Sequence, residues 1–287
     1  MDAMTAANLN GKHILITGGG TGIGLGCARQ AISDGAIVTI AGRRVDVLMS
    51  AAEELKAMAT DGGQVRIAEC DVTDVEAVKA AVAIATEGSG VLHGAVANAG
   101  KGAGMPILLM TADQLRDTFE PNVIGAFNTI QQAAAAMHDT GGSIVAISSI
   151  AGRLGGRFRA AYAASKAALD MIVKVSADEL GPFGIRVNSV NPGLVPTEAT
   201  AVMMDDENFA EVIEDYLNQM PIRRLGTIDD VGRFVRFLMS DDAEWITGQV
   251  LGVDGGHTVR RAPNLEHSLR MRMGDEMVDR LSGPRWK

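Results

Sequence analysis

A chain of 287 residues that is 47% hydrophobic can bury a large core, and with aromatics at only 4% the aliphatic residues and Met must fill it. A net charge of −9 argues against a nucleic-acid surface, and Cys27 and Cys70 alone are too few for a disulfide framework or a Cys-rich metal site, so both are expected as buried thiols. Met1 to Asn10 lacks the basic start and apolar run of a secretory signal, and no later stretch nears the ~18 apolar residues of a membrane helix, so a soluble, cytoplasmic chain with no membrane contact is expected.

In chain order, His13 to Thr17 reads as a buried strand that ends abruptly in Gly18-Gly19-Gly20-Thr21-Gly22-Ile23-Gly24, and a helical pattern with Leu25, Ala28 and Ile32 follows. Glycines between a strand and a helix let backbone approach a phosphate, and the free N–H groups of the helix start face it, so dinucleotide binding is favoured over a plain turn. The alternation continues with strands at 36–41, 64–70, 91–97, 143–149 and 185–191 and helices at 45–60, 74–87, 111–138 and 160–181. A further helix is expected at 228–239 and a last strand from Gly248. Apolar strands alternating with amphipathic helices imply one doubly wound α/β Rossmann domain, a parallel seven-stranded sheet with helices on both faces.

Four strand ends carry candidate site residues. Gly42-Arg43-Arg44 follows the second strand, where an acid would bind a ribose 2′-hydroxyl and an Arg a 2′-phosphate; two guanidinium groups and no acid favour NADP over NAD. Asp71, with the backbone of its neighbour Val72, is placed to meet an adenine, or else Asp71 caps the helix that begins near Thr73. Asn98-Ala99-Gly100 ends the fourth strand with small residues, fitting either a ligand lying across the strand ends or a turn. Ser148-Ser149 closes the fifth strand, open to the reading of a cap. Asn122 follows Pro121, which removes an N–H and disturbs the preceding turn, and a disturbed helix can leave a carbonyl free to hold water.

Tyr162 and Lys166 are four residues apart, so both project from the same side of a helix. Taken alone they form either a solvated face or a phenol whose pKa the ammonium draws down from ~10, making Tyr162 a general acid or base.

In this order the motifs resemble the short-chain dehydrogenase/reductase family over nearly the whole chain, from about Leu9 to Gly256. They comprise Thr17-Gly18 with Gly22 and Gly24, Asn98-Ala99-Gly100, Asn122, Ser149 thirteen residues before Tyr162, the Tyr162 and Lys166 pair, and Pro192-Gly193 with Thr197. The resemblance implies that Ser149 hydrogen-bonds the substrate oxygen while Tyr162 gives or takes its proton. It implies that Lys166 binds the nicotinamide ribose and acidifies Tyr162, and that Asn122 holds a water of the proton relay. Thr17, Gly18, Gly22, Ile23 and Gly24 would surround the pyrophosphate and adjoining ribose, and Asn98 and Gly100 would flank the adenine ribose. Pro192, Gly193, Val195 and Thr197 would position the nicotinamide. Thr21 stands where NADP-dependent members often carry a basic residue, which leaves the 2′-phosphate to Arg43 and Arg44. No metal is needed.

The expected domain is 1–256, with 194–226 as a lid over the nicotinamide and 257–287 as a C-terminal extension. The lid mixes Met203, Met204, Val212, Ile213, Leu217 and Met220 with acids, which fits a partly hydrophobic substrate. Arg153, Arg157 and Arg159 lie between Ser149 and Tyr162 and keep 3-oxoacyl thioesters on a phosphopantetheine carrier among the substrates. The extension, with Leu265, Leu269, Met273, Met277 and Leu281 at four-residue spacing, reads as a helix starting near Pro263 that packs on its own domain or a neighbour. Family members pair through helices corresponding to 111–138 and 160–181, which implies a homotetramer. The leading expectation is an NADP(H)-dependent enzyme interconverting a ketone and a secondary alcohol. The alternatives are a steroid, sugar or polyol dehydrogenase, and a non-catalytic NADP-sensing regulator.

Overall fold

The computed structural model describes residues 9–60, 62–102, 104–200, 210–259 and 274–282. Seven parallel strands form one sheet in the order β3-β2-β1-β4-β5-β6-β7, comprising β1 (His13–Thr17), β2 (Ile37–Gly42), β3 (Gln64–Glu69), β4 (Gly94–Ala97), β5 (Gly142–Ile147), β6 (Ile185–Pro192) and β7 (Val250–Val253). The order reverses between β1 and β4, so their carboxyl ends diverge and leave a crevice there, the usual ligand position in an open α/β sheet.

Side-chain alternation along the strands divides the core between the two faces. Ile14, Ile16, Val145 and Ile147 point to one side, where they meet α1 (Gly22–Ile32), α2 (Val45–Met58) and the later helix at Ile228–Met239. Leu15, Ile144 and Ala146 point to the other, against α3 (Val75–Thr86), α5 (Ala126–Met137) and α6 (Ala160–Leu180). Strands this apolar on both sides have no solvent face, which is why they read as continuous hydrophobic runs.

Two glycines bring helices into backbone contact. A Cβ on Gly26 of α1 would stand 2.5 Å from the Ile228 carbonyl oxygen, and one on Gly232 would stand 2.5 Å from the Gly26 carbonyl oxygen. The region expected as one helix over 111–138 is divided into α4 (Ala112–Phe119), a π-helical segment Glu120–Gly125 and α5. Pro121, which has no N–H, lies inside that segment, and the widened turn buries Asn122 completely.

After β6 come α7 (Ala210–Gln219), α8 (Ile228–Met239), β7 and α9 (Asp275–Ser282). Met203 and Met204 lie outside the described residues, as do Pro263, Leu265, Leu269 and Met273 of the tail. Among the described residues no helix is long and apolar enough to cross a membrane, and no cluster of His, Cys, Asp and Glu could hold a metal ion.

Candidate active site

Two adjoining cavities open at the carboxyl ends of the strands. The first, about 540 Å³, is lined by the glycine loop, the ends of β4, β5 and β6, Tyr162 and Lys166. The second, about 490 Å³, lies over the ends of β2 and β3, and Gly18, Thr21, Ala99 and Gly100 line both.

The glycine loop is compressed against its neighbours. A Cβ on Gly24 would fall 2.2 Å from the Gly18 carbonyl oxygen, and one on Gly18, whose φ is +65°, would fall 2.7 Å from Asn98 Nδ2. Asn98 Nδ2 donates to the carbonyls of Thr17 and Gly18 at 3.0 and 3.1 Å, and Thr17 Oγ1 donates to the Val96 carbonyl at 3.1 Å and accepts from Asn98 N at 3.1 Å. Thr17 and Gly24 therefore shape the cradle from behind, whereas Gly18, Thr21, Gly22 and Ile23 line the cavity. The first turn of α1 holds no acidic residue of its own, so the positive end of the helix faces the cleft, where the Glu198 carboxylate reaches the hydroxyl of the N-cap residue Thr21. These features fit a pyrophosphate.

Ser149, Tyr162 and Lys166 converge on the first cavity. Ser149 Oγ caps a short 3₁₀ turn by accepting from Ala151 N at 3.1 Å, and its hydroxyl also reaches the Tyr162 phenol. Lys166 is buried, donates to the Ile147 carbonyl at 2.9 Å and holds Nζ 5.8 Å from the Tyr162 ring centroid. Burial pulls the ammonium down to about 8, and the Asp170 carboxylate partly restores it.

The protonation balance at Tyr162 differs from that expected of the Tyr and Lys pair alone. Among protein groups, burial pushes the phenol up, outweighing the hydrogen bond from Ser149 and the positive charge of Arg159, which both pull it down. Of the three arginines between Ser149 and Tyr162, Arg159 lines the cavity; Arg153 donates to the Val250 carbonyl at 3.2 Å and Arg157 lies 5.3 Å from the Phe158 ring centroid.

Asn122 stands behind the cavity wall. Its Oδ1 accepts from Lys101 N at 2.8 Å, and its Nδ2 donates to the Lys101 carbonyl at 3.0 Å and to Ser165 Oγ at 3.0 Å. The side chain thus ties the loop after β4 to α6, one turn from Tyr162.

A buried polar network supports Ser149 from below. Asp170 accepts from Ser189 Oγ at 2.7 Å and from Asn191 Nδ2 at 2.9 Å, and Asn191 Nδ2 also donates to the Ser149 carbonyl at 2.9 Å.

Pro192, Gly193, Val195 and Thr197 line the first cavity on its β6 side. The loop after β6 descends onto the glycine turn, so that a Cβ on Gly22 would meet Thr197 at 3.2 Å.

In the second cavity lie Arg43, Arg44, Asp71 and Val72. Asp71 is not the helix cap: Oδ1 accepts from Thr73 N and Oγ1 at 3.0 and 2.8 Å, while Asp74 caps α3 by accepting from Glu76 N. Its other oxygen is 3.9 Å from Arg43. Cys70 lines this cavity with its thiol pushed up to about 11 by burial, and Cys27 is buried in the core.

Arg44 does not point into the cavity alone. Its two terminal nitrogens donate to Glu198 Oε1 and Oε2 at 2.7 and 2.6 Å, across 154 residues of sequence. Glu198 and Tyr216 both line the first cavity and neither was legible as a site residue. Tyr216 comes from α7 and sets its ring edge-on to His257 with centroids 5.3 Å apart. The position of Glu198 beside Thr197 was a signal, but its partner Arg44, between β2 and α2, was not.

A family model described as "Enoyl-(Acyl carrier protein) reductase" matches residues 18–258. The chain is 35% identical over 256 residues to the 2,5-dichloro-2,5-cyclohexadiene-1,4-diol dehydrogenase of Sphingobium indicum, covering 88% of this chain and 99% of that one. It is 37% identical over 250 residues to the trans-4-hydroxycyclohexanecarboxylate dehydrogenase of Sinomonas cyclohexanicum, covering 86% and 93%. A short-chain type dehydrogenase/reductase from Mycobacterium ulcerans superposes with a TM-score of 0.84 at 37% identity, covering 94% of this chain and 98% of that one. With a family model matched over residues 18–258 and relatives above 30% identity that cover most of both chains, the chain belongs to the short-chain dehydrogenase/reductase family.

Proposed function

We propose that this chain is an NADP(H)-dependent oxidoreductase that interconverts a secondary alcohol and a ketone on a cyclic, partly hydrophobic small molecule. The observation that carries the reading is the convergence of Ser149, Tyr162 and Lys166 on one cavity that also contains the glycine cradle. Similarity to dehydrogenases named for six-membered cyclic alcohols supports the substrate class. The two arginines after β2 support NADP.

The residues present fit a nicotinamide dinucleotide. The glycine loop and the N-terminus of α1 would hold the pyrophosphate, Val72 and Asp71 the adenine, Arg43 and Arg44 the 2′-phosphate, and Pro192, Gly193, Val195 and Thr197 the nicotinamide end. When bound, that ring supplies or accepts the hydride.

The protein's own share is the proton. Ser149 Oγ orients and polarises the substrate oxygen, and the Tyr162 hydroxyl donates to it in reduction or accepts from it in oxidation. Lys166, held beside the ring by the Ile147 carbonyl and kept cationic by Asp170, stabilises the phenolate that reduction leaves. The backbone carbonyl of Asn122, on its π-helical turn, is the proposed seat of the water that returns the proton.

Tyr216 on the lid gives the substrate an aromatic wall, which suits a ring better than a charged chain. Among the described residues Arg159 is the one arginine lining this cavity, which favours such a substrate over an acyl carrier. Exposed Phe127 on α5 and Met171 and Val175 on α6 support association through these helices, and we propose a homotetramer. A panel of cyclic ketones, 3-oxoacyl thioesters, sugars and steroids, assayed by loss of NADPH absorbance, tests the reading. Turnover of a cyclic ketone supports it, and turnover of none of the panel with either NADPH or NADH overturns it.

A further inference from the structure

We propose that Glu198 is a cofactor-specificity residue: its carboxylate competes with the 2′-phosphate of NADP(H) for Arg44, and so weakens the discrimination against NAD(H). This rests on the reading of the cleft as a dinucleotide site.

The end of β2 carries no acid, yet the fold delivers one. Glu198 arrives on the loop after β6, takes both terminal nitrogens of Arg44 at 2.7 and 2.6 Å, and is further stabilised as the anion by the Thr21 hydroxyl. Both oxygens of a carboxylate and both nitrogens of a guanidinium are then engaged in the planar, bidentate arrangement that a phosphate would otherwise take. Thr21, Arg44 and Glu198 thereby form a closed bridge from the glycine loop through the cofactor cleft to the lid. Asp46, in the first turn of α2, adds negative charge near Arg44.

NAD(H) leaves this bridge undisturbed, because its ribose bears only hydroxyls, which a carboxylate accepts from readily. NADP(H) must displace the carboxylate from Arg44 and tolerate it nearby, a like-charge contact that opposes binding. Arg43, mostly exposed and 3.9 Å from Asp71, remains for the phosphate. The sequence signal for NADP is therefore opposed by a residue 154 positions away.

The pair is exposed, with side chains 56% and 54% accessible, so replacing Glu198 does not disturb the core and its effect will be modest and salt-dependent. Binding of NADPH and NADH is measured by quenching of Trp fluorescence or by calorimetry on wild type, Glu198→Gln, Glu198→Asp, Arg44→Gln and the double variant Arg44→Gln/Glu198→Gln. Glu198→Gln is expected to tighten NADPH about three- to tenfold while leaving NADH within about twofold, an effect that shrinks at high salt and vanishes in the Arg44→Gln background. Glu198→Asp, with charge kept and reach shortened, should fall between wild type and Gln. An NADPH-to-NADH ratio unchanged in Glu198→Gln, or changed equally with Arg44 absent, overturns the proposal. The wild-type ratio is a separate arm: tighter NADH binding there contradicts the NADP preference without touching the role of Glu198, and no binding of either dinucleotide overturns both.

Discussion

Asp170 and Asn191, on α6 and β6, share a buried hydrogen bond of 2.9 Å, and the same Asn191 amide holds the carbonyl of Ser149. A carboxylate two helical turns beyond Tyr162 is thus wired to the backbone of the proposed substrate-orienting serine, while its charge supports Lys166 from below. Removing it affects both the position of Ser149 and the charge of Lys166.

Asp170→Ala leaves one hydrogen of Asn191 Nδ2 without its partner in the interior, at a cost of about 1–3 kcal/mol, while Ser189 Oγ keeps Asn191 Oδ1 at 3.0 Å and Asn191 Nδ2 keeps the Ser149 carbonyl. Urea denaturation should show a lower midpoint, and kcat should fall more than KM rises. Asp170→Asn, of the same shape, should recover part of the stability and less of kcat. Equal kcat in all three proteins would show that the network does not position the site.

Much of this architecture was legible because a doubly wound sheet writes itself into sequence as apolar strands separated by amphipathic helices. β1 and α8 stand where the pattern placed them, at His13–Thr17 and Ile228–Met239. The misplaced edges have local causes. β4 begins at Gly94, not Val91, because the apolar run extends into the connection before pairing with β1 starts. The helix over 111–138 is broken because a proline withholds a donor. In the site, Ser149 follows a strand end and Tyr162 and Lys166 share a helical face, but each signal is weak alone, and only the order of all the motifs, resembling the family, marks them as a set. Glu198 and Tyr216 come from the segment after β6, where neither a strand end nor a glycine marks position, and only the three-dimensional fold brings them to the cavity.

The crossing of α1 and α8 predicts a second stability effect. Gly232→Ala would place a Cβ 2.5 Å from the Gly26 carbonyl oxygen and 2.8 Å from its carbon, and these backbone atoms cannot yield as a flexible side chain could. The expected loss is about 1–3 kcal/mol, read as a fall in Tm. An unchanged Tm would mean the helices separate freely.

At the start of α8, Thr227 and Asp230 form a capping box, and Arg224 donates to both oxygens of Asp230 at 2.7 and 3.1 Å. The Arg224 hydrogen bonds, with those from Thr227, hold the Asp230 carboxyl far below its usual range. Because the folded value lies below the unfolded one, its contribution is present above about pH 4 and is lost as pH falls towards the folded value. Asp230→Asn should therefore be less stable than wild type at pH 7, with the gap closing below about pH 4; Thr227→Ala should cost about 1 kcal/mol. A gap independent of pH would contradict the assignment.

Lys166 has the opposite sign. Its folded value of about 8 lies below that of the unfolded chain, so the burial cost is fully present below about pH 8 and is relieved as pH rises towards ~10. Relative to Lys166→Met, wild type should gain stability between pH 8 and ~10, by at most about 3 kcal/mol. Chemical denaturation of both proteins across that range checks it, and parallel profiles would place the ammonium in water.

Everything functional here depends on the Tyr162 hydroxyl carrying the proton. Turnover of a cyclic ketone with saturating NADPH, compared between wild type and Tyr162→Phe, tests this most directly, with cofactor affinity measured alongside. The account predicts a fall in kcat of about 10²–10⁴-fold with NADPH binding unchanged. A variant that turns over within a few fold of wild type would contradict it.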